Sequence, residues 1–217
     1  MASTYLQLKS QVANRSGRID GGTANTIRDN AINDVIRFTI ADSHPFSWLK
    51  ATATVVLVAG VADMPTNYNP THKLQPGFVR IARASTNDDI PLTETTVDMF
   101  DRYAAGDYRY YIRWSSYRFE IVSTEQSNTL TVTYYIIPTA LSADGDTSII
   151  PDSECVTLLA SAKVWLAKER DETNHDRDNA LGLQRLGQMI INDKRANPLR
   201  PIRSNLYNVN LGYNIPG

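Results

Sequence analysis

The sequence predicts an α+β fold in which helices from both ends form one bundle, an antiparallel β domain is inserted between them, and an extended arm closes the chain. Apolar residues recur at three- and four-residue spacing near both ends, and β-branched residues alternate with polar ones between them. After residue 197 the composition shifts to Pro, Asn and Gly. The predicted bounds are 1–46 and 142–197 for the bundle, 47–141 for the β domain and 198–217 for the arm.

Two helices are predicted at the N-terminal end. Residues 4–15 form the first, and glycines follow it. Thr23 is expected to cap the second, which ends at His44-Pro45 because the residue before a proline disfavours helix. The apolar faces of the two helices comprise Tyr5, Leu8 and Val12, and then Ile27, Ala31, Val35 and Phe38 beside Ile32, Ile36 and Ile40.

The central region alternates with the period of a strand. Strands are predicted at 49–58, 79–83, 110–114, 117–122 and 130–136. The last three are close enough in sequence for a meander, in which 117–122 pairs with both of its neighbours.

Two long connections separate the predicted strands. Residues 63–77 are rich in proline, and residues 84–107 include a one-turn helix at 96–103. Loops of this length are usually functional or are ordered by a partner.

The last helical run extends from Asp152 to Asn197 and has a proline just beyond each end. Asp152 is expected to cap its first turn. The polar run 171–176 predicts a corner between two antiparallel helices that close back on residues 23–43, with Trp165 at the centre of that contact. The stripes of the two helices comprise Cys155, Leu158, Leu159, Ala162, Trp165 and Leu166, and then Leu181, Leu186, Met189 and Ile190.

The composition limits the classes of protein to which the chain can belong. The chain has 217 residues, 42% hydrophobic and 21% charged, with a net charge of −1, so no strong field marks it as a nucleic-acid or membrane binder. Neither a secretory signal nor a bilayer-spanning apolar run is apparent. The expectation is a soluble protein of a reducing compartment, whose single cysteine, Cys155, packs in the core.

The search for chemistry predicts no enzyme, no cofactor and no metal. His44, His72 and His175 have no His or Cys at metal-ligand spacing, which favours surface or capping roles. Cys155 lies near a helix N-terminus, where a thiol is activated, yet no candidate base is close in sequence, which favours simple burial. Asp144-Gly145-Asp146 is interpreted as a turn rather than a cation site.

One stretch keeps nucleic-acid binding open. Residues 102–118 interleave four arginines with five tyrosines and a tryptophan, and such groups stack bases. Cross-strand aromatic and arginine pairs are also ordinary sheet stabilisers, and the net charge of −1 favours that interpretation.

Several segments in a fixed order carry a family resemblance. They are the helix end His44–Leu49, the strand Ala51–Gly60, the segment Ala62–Tyr68, the strand Leu130–Pro138 with Leu141, and Ile150-Pro151 opening the helix pair. Because these segments occur in this order, the chain resembles the head-to-tail adaptor (connector) proteins of tailed bacteriophages. This family includes the tail tubular protein A of short-tailed phages, and the resemblance extends from Ala24 to Asn197.

The resemblance implies a structural role in the virion neck, after assembly in the host cytoplasm. It implies a homo-oligomeric ring, twelve-fold, that docks beneath the portal protein and joins it to a tail or nozzle protein. The helical part would face the portal and the β part the tail. DNA would pass through the ring without specific binding, which suits a chain with no basic excess. The alternatives are another neck subunit, for tail completion or head closure, or a nucleic-acid-binding module.

The arm 198–217 has too many apolar groups for a solvated tail, although a disordered tail is the alternative. We expect it to enter a groove on the portal or on a neighbouring subunit. Arg200 and Arg203 would pair with carboxylates there. The expected anchors in pockets are Leu206, Tyr207, Tyr213 and Ile215.

Overall fold

Four long helices and eight strands make up the described part of the chain. A computed structural model describes residues 3–17, 22–75, 77–82, 89–100, 110–113, 115, 117–121, 129–168 and 171–197. The long helices are α1 (Tyr5–Arg15), α2 (Gly22–Asp34), α5 (Ser153–Lys168) and α6 (Glu172–Ala196), and the short ones are α3 (Ala41–Ser43) and α4 (Val97–Phe100).

Helix α1 begins at a capping box. Thr4 Oγ1 accepts the Gln7 N–H at 3.3 Å, and Gln7 Oε1 accepts the Thr4 N–H at 2.9 Å, so two otherwise free donors are satisfied. The Tyr5 N–H donates to the Asp146 carbonyl at 2.7 Å. That carbonyl lies in the turn predicted at residues 144–146, which Asp146 closes by accepting the backbone N–H groups of residues 142 and 143.

Helix α2 continues through a π-helical segment, Val35–Ile40, into α3. It begins at Gly22, so Thr23 lies inside the first turn and the predicted Thr23 cap is wrong. Phe38 was predicted on the buried face but is 46% exposed. A π turn contains more residues than an α turn, so a residue three positions after Val35 no longer falls on the same side.

The strands form two four-stranded sheets. Their orders are β1-β8-β3-β4 and β2-β7-β6-β5, and all pairs are antiparallel except β5 with β6, which is parallel. The strands are β1 (Lys50–Val56), β2 (Val61–Asp63), β3 (Val79–Ala82), β4 (Asp89–Pro91), β5 (Thr93–Glu94), β6 (Tyr110–Arg113), β7 (Arg118–Ile121) and β8 (Thr129–Tyr135).

The predicted meander is half right. Strand β6 pairs with β7 as expected. Strand β8 does not pair with β7; it lies between β1 and β3 in the other sheet. Strands β1 and β8 are both seven residues long, whereas β7 has four. The long partner therefore offers β8 more ladder hydrogen bonds than the sequence neighbour does.

Helices α5 and α6 are the two helices that were predicted within the run 152–197. Asp152 Oδ1 accepts the N–H groups of Glu154 and Cys155 at 3.0 and 3.1 Å, which confirms the predicted cap. Asp171 caps α6 by accepting the Asn174 N–H at 3.0 Å. The corner therefore precedes residue 172, and most of the polar run predicted as a corner is the first turn of α6.

The described core consists of two clusters of buried apolar residues, one among the helices and one among the strands. Helix α5 packs against α1, α2 and α6 at the centre of the first. Trp165 is not among the buried residues of this cluster, so its predicted place at the centre of the helix contact is wrong. Its side chain is half-buried and donates a hydrogen bond from Nε1 to Asp178. Leu166 and Leu181 were predicted on buried stripes, but each is 41% exposed. The buried α5 residues of the cluster are Cys155, Val156, Leu159, Ala160 and Val164.

Candidate interaction site at the base of the C-terminal segment

The residues predicted as arm anchors lie outside the described part of the chain: Arg200, Arg203, Leu206, Tyr207, Tyr213 and Ile215. The structure does describe the place from which that segment leaves. Asn197 follows the last turn of α6, and the residues around it form the candidate site.

Asp193 is at the centre of the hydrogen bonds of this site. Its carboxylate accepts the Ser47 hydroxyl at 2.6 Å and the Ser47 N–H at 3.2 Å. Asn197 Nδ2 donates to the same Ser47 hydroxyl at 2.9 Å. Ser47 opens the short 3-10 turn that leads directly into β1. The base of the C-terminal segment is therefore tied to the start of the first sheet.

His44 completes the cluster. Its Nε2 lies 3.3 Å from Asp193 Oδ2. Burial lowers the pKa of His44 below its ordinary value, although the carboxylate of Asp193 acts in the opposite direction. At neutral pH the imidazole is therefore mainly uncharged, and its contact with Asp193 is a hydrogen bond rather than an ion pair.

A surface groove of about 670 Å³ runs beside this cluster. Trp48, Pro151, Met189 and Ala196 form its apolar lining. The remaining lining residues are polar or acidic: Ser47, Asp152, Ser153, Glu154, Asn192, Asp193 and Asn197. A groove lined by both apolar side chains and carboxylates suits a peptide segment that carries both aliphatic and basic side chains.

Two of the acidic residues that line the groove are already paired with an arginine. Arg185 on α6 lies 3.2 Å from Asp152 and also contacts the carboxylate of Glu154. This pairing also links α6 to the first turn of α5, whose free N–H groups favour acidic side chains.

The other two histidines and the cysteine each contact a backbone carbonyl oxygen. A surface or capping role was predicted for His72, but the residue is buried, and its Nε2 lies 2.6 Å from the Ala41 carbonyl oxygen. His175 Nδ1 lies 3.0 Å from the Ala162 carbonyl. Cys155 is fully buried, and burial raises the pKa of its thiol to about 12. Within the described ranges no three His, Cys, Asp or Glu residues are arranged to hold a metal ion.

The arginines of the predicted nucleic-acid stretch that the structure describes are paired within the second sheet. Arg113 Nε donates to Glu94 at 2.8 Å, and Arg118 Nε donates to Asp63 at 2.9 Å. Burial is the main cause of the raised pKa of Tyr111, which packs edge-on against Phe119. These contacts favour the sheet-stabilising interpretation. Arg102 and Arg109 lie outside the described residues.

Sequence reasoning missed the Ser47–Asp193 contact. The two residues are 146 positions apart, and no sequence pattern relates Ser47 to Asp193. The signal that was available was indirect: Asp193 and Asn197 are polar residues one turn apart at the end of an otherwise amphipathic helix, and side chains at such positions often make caps or tertiary hydrogen bonds.

The described helices include none that is both long enough and apolar enough to cross a membrane. No curated protein matches the chain significantly. The model of the SU10 adaptor protein family matches residues 3–203, nearly the whole sequence and more than the range that carried the resemblance. This match confirms the predicted likeness to phage adaptors. The chain belongs to the SU10 adaptor protein family, a family of structural adaptors of bacteriophage particles.

Proposed function

We propose that the protein is a ring-forming head-to-tail adaptor, a dodecamer in the virion neck. It docks under the portal protein, joins the portal to a tail or nozzle protein, and lines the DNA exit channel. The observation that carries this proposal is the family match over residues 3–203, which spans helices, sheets and the beginning of the C-terminal segment alike. The helical part, 1–46 with 142–197, faces the portal, and the β part, 47–141, faces the tail.

Exposed aliphatic residues along α6 support a role in assembly. From Asn179 to Asn192 the only charged residue is Arg185, and Asp152 and Glu154 already neutralise it. Leu181, Leu183 and Ile191 on this helix are 41%, 49% and 44% exposed. Exposed aliphatic groups without charge are typical of the centre of a protein–protein interface.

The charge distribution supports passage of DNA without retention. The net charge is −1. The arginines of the second sheet, Arg113 and Arg118, are held by carboxylates. Gripping a phosphate backbone requires several unpaired cations, and each such contact would slow a sliding duplex.

The C-terminal segment 198–217 is the proposed attachment device. It starts at Asn197, beside the groove of the candidate site. Its predicted anchors are the aliphatic and aromatic residues named above, because such groups in pockets contribute most of the binding free energy in protein interfaces. Arg200 and Arg203 would pair with carboxylates on the surface that receives the arm.

A truncation tests this proposal. A variant that lacks residues 198–217 should keep the thermal unfolding transition of the full chain yet fail to attach to portal-bearing heads. A matched variant that carries the same twenty residues in shuffled order should also fail to attach. This control separates docking that depends on the arm sequence from an effect of the mere presence of twenty extra residues. Normal attachment of both variants would refute the role of the arm.

A further inference from the structure

Strand β1 has an edge to which no described strand pairs. It stands at the end of the order β1-β8-β3-β4 and bonds β8 over its whole length of seven residues, Lys50 to Val56. Its sequence, Lys-Ala-Thr-Ala-Thr-Val-Val, has one charge at its first position and neither proline nor glycine. A long, regular and nearly uncharged edge is a template for another strand, and proteins normally cover or disrupt such an edge.

The two faces of β1 differ in character. Ala51, Ala53 and Val55 are half-buried and pack against the cluster of the two sheets. The alternate residues point away from that cluster and are exposed, as Val56 shows with 63%. The small side chains of Ala51 and Ala53 therefore lie at the open margin of an apolar core, which an additional strand would close.

The sequence of the C-terminal segment contains a strand pattern of the required kind. From Tyr207 to Ile215 it reads Tyr-Asn-Val-Asn-Leu-Gly-Tyr-Asn-Ile, so every odd position is apolar and every even position is Asn or Gly. This is a period of two, the mark of a strand with one buried face. Residues 204–215 contain no charge and no proline. Three of the predicted anchors, Tyr207, Tyr213 and Ile215, fall on the apolar face.

We propose that residues 207–215 of one subunit add as a strand to the free edge of β1 of the adjacent subunit. Main-chain hydrogen bonds would provide the affinity, as in other cases of strand addition. The odd positions would cover Ala51, Ala53 and Val55, and the asparagines would lie beside the outward threonines Thr52 and Thr54. This inference rests on the proposed ring, because it requires a neighbouring copy.

The distances along the chain favour the neighbour over the same subunit. The segment leaves at Asn197, which bonds Ser47 just before β1 begins. The linker 198–206 contains Pro198 and Pro201, which favour an extended path of about 28 Å at 3.1 Å per residue. The seven residues of β1 span about 20 Å from the first Cα to the last. A linker of that length exceeds the span of β1, so the alternating segment has the reach to pass its own β1 and meet a neighbouring subunit. One arm passed to each next subunit is a head-to-tail contact, the kind that closes a ring.

Variants that each carry one added cysteine test the pairing. Thr54→Cys chains are mixed with chains that carry Asn208→Cys, Asn210→Cys or Asn214→Cys, assembled on the portal and oxidised. We expect a disulfide-linked dimer for the position in register and none for the wild type, whose Cys155 is buried. Thr173→Cys, on the exposed first turn of α6, replaces Thr54→Cys in the control mixture and should give no dimer.

Two results would overturn the inference. One is the absence of any disulfide dimer in rings seen stacked on the portal. The other is a cross-link that forms only within one chain, as a monomer, when both cysteines are on the same polypeptide. Failure of rings to form at all refutes the proposed function instead, and electron micrographs of the same samples distinguish these cases.

Hydrogen exchange gives a second readout. In portal-bound rings the amides of β1 that point to its free edge, and so are not bonded to β8, should exchange at least about tenfold more slowly than in the variant Val209→Asn/Leu211→Asn, because amides bonded in a ladder exchange only on opening. The matched variant Asn208→Thr/Asn214→Thr changes only the outward positions and should keep the protection. Equal exchange in all three proteins would contradict strand addition.

Discussion

The hydroxyl of Ser47 donates to Asp193 Oδ1 at 2.6 Å, while the Ser47 N–H donates to the same carboxylate at 3.2 Å. One side chain on the last turns of α6 thereby holds the entry of β1. The C-terminal segment leaves four residues later, beside the same contact. The helices and the first sheet are thus fixed to each other at the place where the proposed attachment device begins.

Replacing Asp193 should weaken this junction. In Asp193→Ala, two donors of Ser47 lose their acceptor in a part-buried place, and the free energy of unfolding should fall by about 1–3 kcal/mol. Urea denaturation measures the loss. The control is Asp176→Ala, whose side chain is 82% exposed and should matter by less than about 0.5 kcal/mol. Equal stability of the two variants would contradict the assigned role of Asp193.

Asp178 should contribute more, because its side chain is fully buried and charged. It accepts two hydrogen bonds from Arg15, at 3.0 and 3.1 Å, one from Arg177 and one from Trp165 Nε1. It therefore joins α1, α5 and α6. Removal of one partner of such a cluster leaves charges and an indole N–H without partners, and Asp178→Ala should lose about 3 kcal/mol in urea denaturation. A loss below that of Asp193→Ala would show that the cluster adds little.

The same residue predicts acid sensitivity. Burial acts to raise the pKa of Asp178, but the hydrogen bonds and charges of Arg15 and Arg177 outweigh it, so the pKa lies below its ordinary value. A carboxyl with a depressed pKa in the folded state stabilises the fold above its unfolded pKa of about 4, and that stability is lost as the pH falls through the folded pKa. Melting temperatures measured from pH 7 to pH 2 should therefore fall less steeply for Asp178→Asn than for the wild type, and parallel curves would contradict this.

Two glycines of α6 give a matched pair with opposite outcomes. A Cβ at Gly182 would lie 2.6 Å from Leu159 Cδ2 and 3.3 Å from the Leu159 backbone nitrogen, in a buried contact. Gly182→Ala should therefore lose about 1–3 kcal/mol through overpacking between α5 and α6. A Cβ at Gly187 meets nothing within 4 Å, so Gly187→Ala should gain about 0.5–1 kcal/mol from helix propensity. Thermal unfolding measures the change in stability of each variant. A change of the same sign for both substitutions would refute the packing of α5 on α6.

Cys155 should be unreactive in the folded protein. It is fully buried, and its thiol pKa is raised to about 12, chiefly by burial. A thiol reagent at pH 8 should modify it only after denaturant is added, because the thiolate is the reactive form. The control Val58→Cys, at a position 73% exposed, should react at once in the folded state. Rapid reaction of native Cys155 would reopen the catalytic interpretation.

Local patterns predicted the elements better than their partners. The spacing of Leu8 and Val12, and the alternation along β8, identify a helix and a strand because the backbone period is local. The partner of β8 is not local: pairing with β1 crosses about eighty residues, and nothing in either strand specifies it. The π-helical segment at Val35–Ile40 was equally invisible, since its residues are apolar whichever turn they adopt.

The sequence predicted where along the chain the candidate site begins, but not which residues form it. Composition placed the change of character at Asn197, and the structure places the Asp193 cluster and the groove there. Ser47 and His44 could not be assigned to it, because polar side chains at a turn carry no sign of a partner far along the chain. The family resemblance used the order of several weak segments between Ala24 and Asn197, and the family match covers that range and extends it to residues 3–203.

The most direct test of the adaptor assignment is electron microscopy of the purified protein mixed with its portal. The account predicts class averages with twelve-fold rings stacked on one end of the portal, and loss of those rings when residues 198–217 are removed. Portals that remain bare at saturating protein concentration, or that bind isolated subunits without a ring, would contradict it.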